Sequence, residues 1–284
     1  MTDLRTLVAE ELALSVDPRV SAMAEAIAKK HGGASRALLF YGSCLREREL
    51  DGRMLDFYLI VSDYRAAYAK RWLALANRLI PPNVFYFEHN GLAAKYAVLS
   101  EGDFYRLSGP ETRSVSVWAR FAQPSRLVWA ANALARERAI EAVARAAPTL
   151  LAAAGRRHGE KPLDWWRRAF TLTYSAELRA ERPGRASVVD ADRERYVTFT
   201  EPSATAIERQ PNASWRRRRI EGKALSVLRL AKASATFAGG PDYIAWKINR
   251  HAGTEIALKP WQRRHPLLAA ISLLPRLLRS GAVR

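Results

Sequence analysis

The chain has 284 residues, of which 49% are apolar and 26% charged, and these proportions exclude a disordered or collagen-like protein. Its longest run without a charged side chain, residues 265–275, is about half the length that a membrane-spanning helix needs, so we expect no transmembrane helix. The net charge is +18, and residues 209–284 hold 16 Lys/Arg against 3 Asp/Glu. This C-terminal excess predicts a polyanionic partner, either nucleic acid or an anionic membrane surface.

The first 109 residues alternate between helical and strand patterns. A helix is predicted over 17–30 and is closed by Gly32 and Gly33. Strands are predicted at 37–41, 54–61, 83–88 and 93–99. Between the second and third strands, apolar residues at helical spacing indicate a further helix: Tyr68, Trp72, Leu75 and Leu79. The pattern therefore predicts an α/β domain over residues 1–109.

The remaining residues favour helices. The alanine-rich stretch 125–154 predicts one or two helices, and a third is expected from Asp164 to Leu178. Residues 183–213 contain prolines and a strand-like piece at 196–200, which indicates irregular structure or a β-wing. We expect a mostly helical region over 110–213, and a basic C-terminal region over 214–284.

The C-terminal region contains two features with two interpretations each. The run Arg216–Arg219 is either a solvated helix face or a contact for a polyanion. Residues 266–278 place leucines on one side with arginines nearby, which fits an interfacial amphipathic helix or a helix packed on the core. The single cysteine, Cys44, and the acidic N-terminus favour a reducing compartment without a secretory signal.

The pattern with the most chemical content is Gly42-Ser43 at a predicted strand-to-helix turn, followed thirteen residues later by Asp56 within a strand. Glycine and a small hydroxyl residue allow backbone N–H groups and the hydroxyl to approach phosphate oxygens. An acid on the next strand can hold Mg²⁺ on the same phosphates. An ordinary turn beside a structural buried acid would give the same pattern.

Five short pieces, taken in chain order, resemble one known family. They are Tyr41-Gly-Ser43 (similar to YGSG), Met54-Leu-Asp-Phe57 (M-[IL]-D-F), Lys95-Tyr-Ala-Val98 (KYGV), Ala119-Arg120 with Pro124 (AGRLxKP) and Tyr174-Ser-Ala-Glu-Leu-Arg179 (YSGDFR). The chain thereby resembles the Tam41/Mmp37 family of CDP-diacylglycerol synthases, also called phosphatidate cytidylyltransferases. Cys44 and Ala97 stand where that family has glycine.

The resemblance implies a polymerase-β-like nucleotidyltransferase domain over 1–109, followed by a mostly helical, winged-helix-like domain over 110–213. It implies an Mg²⁺-dependent reaction in phospholipid biosynthesis, in which CTP and phosphatidic acid give CDP-diacylglycerol and pyrophosphate. The implied residues are catalytic Asp56, Ser43 and Lys95; nucleotide-binding Gly42, Ser43, Lys95, Tyr96 and Arg120; and Tyr174 and Arg179 at the lipid phosphate.

The metal ligands are less fully specified by the pattern. Asp56 is the first ligand, but Tyr58 stands where polymerase-β-type enzymes carry a second carboxylate, so Glu88 or Asp63 is the expected helper. We expect a peripheral protein on the cytoplasmic face of a bacterial inner membrane, with nucleic acid an unlikely partner. Two alternatives stay open: a nucleotidyltransferase acting on RNA or protein, and an inactive lipid- or nucleic-acid-binding relative.

Overall fold

The computed structural model describes residues 3–47, 50–177, 188–207, 214–236 and 259. Five of its strands form one mixed sheet in the order β3-β4-β2-β1-β5. Strands β2 and β4 are parallel, and the other neighbouring pairs are antiparallel. The strands are β1 (Ser35–Tyr41), β2 (Met54–Val61), β3 (Asn83–His89), β4 (Leu92–Ser100) and β5 (Ser125–Ala130).

Twelve α-helices fall within the described residues and surround this sheet. In the first half of the chain they are α1 (Leu4–Ala13), α2 (Pro18–Lys30), α3 (Ser43–Glu47), α4 (Tyr64–Ala67), α5 (Arg71–Leu79), α6 (Glu101–Ser108) and α7 (Trp118–Phe121). In the second half they are α8 (Ala133–Ala144), α9 (Ala146–Ala154), α10 (Pro162–Ala176), α11 (Arg193–Thr205) and α12 (Trp215–Thr236).

Both faces of the sheet are buried by helices, and the side chains of each strand alternate between the two faces. One face contributes Leu39, Tyr58 and Ile60 to a core that also draws on α1 and α6 to α11. The other contributes Phe40 and Phe57 to a second core beneath α2. The site described below lies on the first face, at the end where β1 leads into α3.

The strands and helices predicted for residues 17–100 are confirmed, with bounds that shift by one or two residues at most ends. Helix α2 shows why the prediction succeeded. The side chain of Asp17 accepts a hydrogen bond from Arg19 N at 2.8 Å, Pro18 takes the first helical position, and Val20 and Ile27 are buried. The helix signal therefore combines a cap, a proline and an apolar face.

The prediction of helix from residue 125 onward is wrong for its first six residues. Residues 125–130 form β5, which pairs antiparallel with β1 and places Ser125 opposite Tyr41. The helices begin only at Ala133, where the side chain of Asn132 accepts from Ala135 N at 2.9 Å. A segment of six residues is too short for its hydrophobic periodicity to distinguish a strand from a helix. The sheet thus takes its fifth strand from beyond residue 109.

The predicted strand-like piece at 196–200 is also wrong, because these residues lie inside helix α11. Tyr196, Phe199 and Thr200 are buried on one side of that helix. The indole N–H of Trp166 donates to the Thr200 hydroxyl at 3.0 Å. Aromatic and β-branched residues suit strands in isolation, but packing against α10 decides their conformation here.

The described part of the chain holds no helix that is both long and apolar enough to cross a bilayer. The predicted turn at Gly239 to Pro241, the helix at 243–250 and the amphipathic segment 266–278 all lie outside the described residues. The predicted helix from Asp164 is confirmed as α10, which begins at Pro162 and ends at Ala176.

Candidate functional site

Asp56 lies in a row of residues that runs across the middle strands of the sheet. On β2 it is directly opposite Tyr41 of β1 on one side and Lys95 of β4 on the other. Residues that are directly opposite across neighbouring strands point to the same face. Three of the sequence motifs therefore meet on one face, although more than fifty residues separate the first from the last.

Lys95 and Asp56 form an ion pair, with Nζ of the lysine 2.9 Å from Oδ1 of the aspartate. The side chains are partly buried, at 30% and 17% exposed respectively. Among the described residues, Oδ1 accepts no aligned hydrogen bond, so the contact with the lysine is one of charge. An ion pair of this kind can exchange one partner for a ligand of the same charge without leaving a buried charge alone.

Gly42 brings the chain against the other oxygen of the same carboxylate. Its φ is +96°, a conformation that disfavours residues with a Cβ. A Cβ built on Gly42 would lie 2.8 Å from Oδ2 of Asp56. Ser43 follows at once and begins α3. Glycine is thus required here for two reasons, backbone conformation and close approach to Asp56.

Arg120, near the end of the short helix α7, lies over the ring of Tyr41, which is directly opposite Asp56. Its guanidinium lies 5.0 Å from the ring centre of Tyr41, which in turn lies 5.4 Å from the ring of Tyr58. Burial opposes the charge of Arg120, but Tyr41, Tyr58, Glu177 and Asp56 outweigh it, so its pKa is raised above the ordinary range. Arg120 therefore stays a cation at this site.

Helix α12 supplies a second, partly buried cation, Arg229, which the sequence analysis did not identify. Its guanidinium donates to the carbonyl of Pro81 at 2.8 Å and to the hydroxyl of Ser116 at 2.9 Å. Burial lowers the pKa of Arg229, an effect that Tyr58 and Glu177 oppose and the charge of Arg120 reinforces. These mutual effects indicate that Arg229 lies near Tyr58, Glu177 and Arg120. We call these four residues the Arg120 cluster.

Glu177, just after α10, was also missed as a site residue. Its charge raises the pKa of both Arg120 and Arg229, so it lies close enough to interact with both guanidinium groups. It lies within the Tyr174–Arg179 motif, so the signal was present in the sequence but was assigned to its neighbours. Tyr174 itself packs against the first core, with its ring 6.5 Å from that of Phe170, and Arg179 lies outside the described residues.

Tyr96 is not brought to Asp56, because it points to the opposite face from Lys95. Its side chain is buried in the second core, and its hydroxyl lies 3.1 Å from Nε2 of His31. Burial raises the pKa of the Tyr96 phenol above its usual range. The alternation of a strand thus separates two adjacent residues of one motif, and the expected nucleotide contact of Tyr96 has no support in this geometry.

The two expected helper carboxylates are also apart from Asp56. Asp63 follows the far end of β2 and caps α4, accepting from the backbone N of Arg65 at 2.8 Å and of Ala66 at 3.0 Å. Glu88 lies on β3, two strands from β2 and thus roughly 10 Å away at the spacing of neighbouring strands. Its carboxylate accepts from the hydroxyl of Tyr86.

The donor set limits how a metal could bind. Within the described ranges, no group of three or more His, Cys, Asp or Glu side chains could hold an ion. Magnesium commonly uses one or two carboxylates and completes its shell with water and substrate phosphates. Asp56 therefore fits a magnesium ion that is bound jointly with a nucleotide triphosphate, and not a preformed cage of protein ligands.

The chain was also compared with known proteins. No protein-family model matches it, and no match was found among curated proteins.

Proposed function

We propose that the protein is a magnesium-dependent phosphatidate cytidylyltransferase, built on a polymerase-β-like nucleotidyltransferase domain. The observation that carries the proposal is the convergence on Asp56: Lys95 is paired with one carboxylate oxygen, and Gly42 lies against the other. Arg120 adds a partly buried cation over the ring of Tyr41, the neighbour of Asp56 on β1. One carboxylate beside several cations suits a substrate with a chain of phosphates.

The reaction joins two phosphates. An oxygen of the phosphatidic acid phosphate attacks the α-phosphorus of CTP, and the bond between that phosphorus and the oxygen bridging to the β-phosphate breaks. The bridging electrons leave with pyrophosphate, and CDP-diacylglycerol is the other product. Such a transfer depends mainly on positioning and on neutralising phosphate charge.

Each residue of the cluster has a task that its position allows. Lys95 pairs with a triphosphate oxygen and releases Asp56, whose carboxylate is then available to a metal ion held on the same phosphates. The Gly42-Ser43 turn offers its backbone and hydroxyl to a neighbouring phosphate oxygen. Arg120 stabilises the charge that builds up on the leaving pyrophosphate. Magnesium, when bound, supplies further charge neutralisation across the triphosphate.

The acceptor class follows from the small number of carboxylates. A phosphate monoester loses its second proton with a pKa of about 6 and is already a nucleophile at neutral pH. A hydroxyl of RNA or protein must instead lose a proton during attack, which calls for a general base. Tyr58 occupies the position two residues after Asp56, where a second carboxylate would serve that purpose, and its ring packs against Phe121 at 5.1 Å.

The basic run 216–219 gives little support to an RNA acceptor. Arg218 is buried, and its guanidinium donates to the carbonyl of Arg113 at 2.7 Å. Arg217 is paired with Glu221 at 2.8 Å, one turn along the same helix. Two of the four arginines thus serve the fold of α12, and the run does not present an unbroken cationic surface for a nucleic-acid backbone.

The proposal is tested by incubating the full chain with α-³²P-labelled CTP, Mg²⁺ and phosphatidic acid in mixed micelles. We expect label in the lipid extract as CDP-diacylglycerol, with one pyrophosphate released per lipid formed. Diacylglycerol, which lacks the phosphate, serves as the matched acceptor control and takes up no label. Labelled RNA or protein in place of lipid contradicts the acceptor assignment, and an absence of any turnover favours the inactive alternative.

A further inference from the structure

Helix α5 is oriented with its large apolar side chains towards solvent. Trp72, Leu75 and Leu79 share one side of the helix and are 48%, 56% and 68% exposed. The sequence analysis used these three residues, together with Tyr68, only as the signal for a helix. Large apolar side chains that recur at helical spacing on an outer surface mark a site of interaction more often than chance exposure does.

The orientation of α5 is fixed by polar contacts on its inner side. Ala74 and Asn77 are the buried residues of the helix. The side-chain amide of Asn77 donates to the carbonyl of Val98 at 2.9 Å, and it accepts from the backbone N of Asn83. The side chain of Asn83 donates in turn to the carbonyl of Leu73 at 3.0 Å. Rolling the stripe inward would break these buried hydrogen bonds, so the exposed face is built into the fold.

The charges within the chain segment that carries this face have one sign. Residues 64–87 contain no Asp or Glu and four cations, Arg65, Lys70, Arg71 and Arg78. Lys70 and Arg71 precede Trp72 directly, and Arg78 precedes Leu79. Apolar side chains flanked by lysine and arginine, with a tryptophan at one end, suit the boundary between acyl chains and anionic head groups.

We propose that the α5 face, defined as Trp72, Leu75 and Leu79 with its flanking cations, docks on an anionic lipid bilayer. A second copy of the chain fits this face poorly, because a two-fold contact would bring its cations against their own copies. Nucleic acid would satisfy the cations but would leave the leucines against a phosphate backbone. An anionic bilayer satisfies both the charged and the apolar parts of the surface.

The segment that follows α5 contacts helix α12, which supplies Arg229 to the candidate site. The segment that ends α5 presents its carbonyls to helix α12: Pro81 accepts from Arg229, and Pro82 accepts from Lys232 at 2.9 Å. Arg229 belongs to the Arg120 cluster described above. The α5 face is therefore linked to that cluster through the segment 80–82. The inference goes beyond the proposed reaction, because it concerns binding in the absence of nucleotide and can fail or succeed independently of turnover.

The test is co-sedimentation of the full chain with vesicles of phosphatidylcholine alone or with about one third phosphatidylglycerol, without nucleotide. We expect Trp72→Glu/Leu75→Glu/Leu79→Glu to weaken binding to the anionic vesicles by about thirtyfold or more, because it removes apolar contacts and reverses charge. Leu14→Glu/Leu134→Glu/Val197→Glu is the matched control, since it alters three exposed apolar residues on other surfaces and adds the same charge. Equal binding by the two triple variants overturns the proposal.

A fluorophore placed on the α5 face distinguishes docking on a bilayer from coverage of the face by protein. An environment-sensitive fluorophore is attached to Leu75→Cys, and for comparison to Leu134→Cys, both with Cys44→Ala. Anionic vesicles should shift the emission to the blue at position 75 and leave it unchanged at position 134. Emission that is already blue-shifted without vesicles and does not respond to them would show that protein covers the face, and would overturn the proposal.

Discussion

Nζ of Lys95 lies 2.9 Å from Oδ1 of Asp56, across the parallel strands β2 and β4. The register of the two strands makes this contact, since each residue is directly opposite the other. In the free protein the lysine therefore neutralises the carboxylate. In the proposed reaction, a triphosphate would compete for the lysine, and a divalent cation on that triphosphate would compete for the carboxylate. We infer that the pair reorganises as a unit when the nucleotide binds, and this inference leads to the first prediction.

Asp56→Asn should lower turnover by about a hundredfold or more, because an amide cannot neutralise a cation held on the triphosphate. The measurement is the lipid-labelling rate at saturating CTP and Mg²⁺. Thermal unfolding of the variant should stay close to that of the parent chain, since the amide keeps the size of the side chain.

Asp63→Asn is the matched control for that experiment. Asp63 carries the same functional group but caps α4 at the other end of β2. Asparagine is itself a good capping residue, so activity and stability should both remain near the parent values. If Asp63→Asn reduced turnover as much as Asp56→Asn, the placement of the site at the Asp56 end of β2 would be contradicted.

Gly42→Ala and Gly52→Ala form a second matched pair. Both glycines have positive φ, so each alanine carries a backbone cost of about 1 kcal/mol or more. A Cβ at Gly42 meets Asp56 Oδ2 at 2.8 Å, whereas a Cβ at Gly52 meets nothing within 4 Å. Gly42→Ala should therefore lose about tenfold or more of its activity beyond Gly52→Ala, because it displaces the carboxylate. Similar activities in both variants would show that the close approach has no part in catalysis.

Lys95→Ala should lower kcat/KM for CTP by about ten- to a hundredfold, the loss expected for one charge-assisted hydrogen bond to phosphate. Binding to anionic vesicles should not change, because the lysine is assigned to the nucleotide. Lys30→Ala is the control: this lysine lies over the ring of Phe87, 5.3 Å from its centre. Unaltered CTP kinetics in Lys95→Ala would leave Lys95 with only its structural contact to Asp56.

The strands that hold the site could be predicted because each carries a short signal of its own. Strand β2 begins at Met54 and ends at Val61, as the sequence predicted. Gly42, which has a positive φ, indicates the turn that follows β1. The strand β5 could not be predicted, since its neighbour β1 lies some ninety residues earlier and only pairing distinguishes it from a helix. The sequence analysis grouped Tyr96 with Lys95, but the period of two along β4 places its side chain on the opposite face of the sheet.

The cations of α12 show a different limit of sequence reasoning. Arg229 lies about 150 residues from Pro81 in the chain, yet its guanidinium donates to that carbonyl. Nothing in the local pattern of α12 separates Arg229 from the solvated arginines of the same helix. Burial and long-range hydrogen bonding assign it to the site, and these are properties of the folded chain alone.

The last prediction concerns Lys232, which donates to the carbonyls of Ile80 and Pro82. Burial, together with the charge of Arg229, lowers the pKa of this lysine from 10.5 to about 7. Between these two pH values the unfolded chain binds more protons at this position than the folded chain does, so the free energy of unfolding rises with pH. The destabilising effect is fully present below about pH 7. Removing the amine should therefore reduce the dependence of the unfolding free energy on pH.

We expect Lys232→Met to reduce the slope of unfolding free energy against pH, measured by urea denaturation from pH 7 upward to about 9, below the range where tyrosine and ordinary lysine titrate. Lys223→Met is the control on the same helix, because Lys223 is exposed. The comparison uses the slope of unfolding free energy against pH. A loss of stability that is the same at every pH, caused by the two carbonyls that lose their hydrogen bond to Lys232, therefore does not affect it. If the Lys232→Met slope equalled that of the parent chain, burial would not be depressing the pKa of Lys232, and the lysine would be a permanent cation beside Arg229.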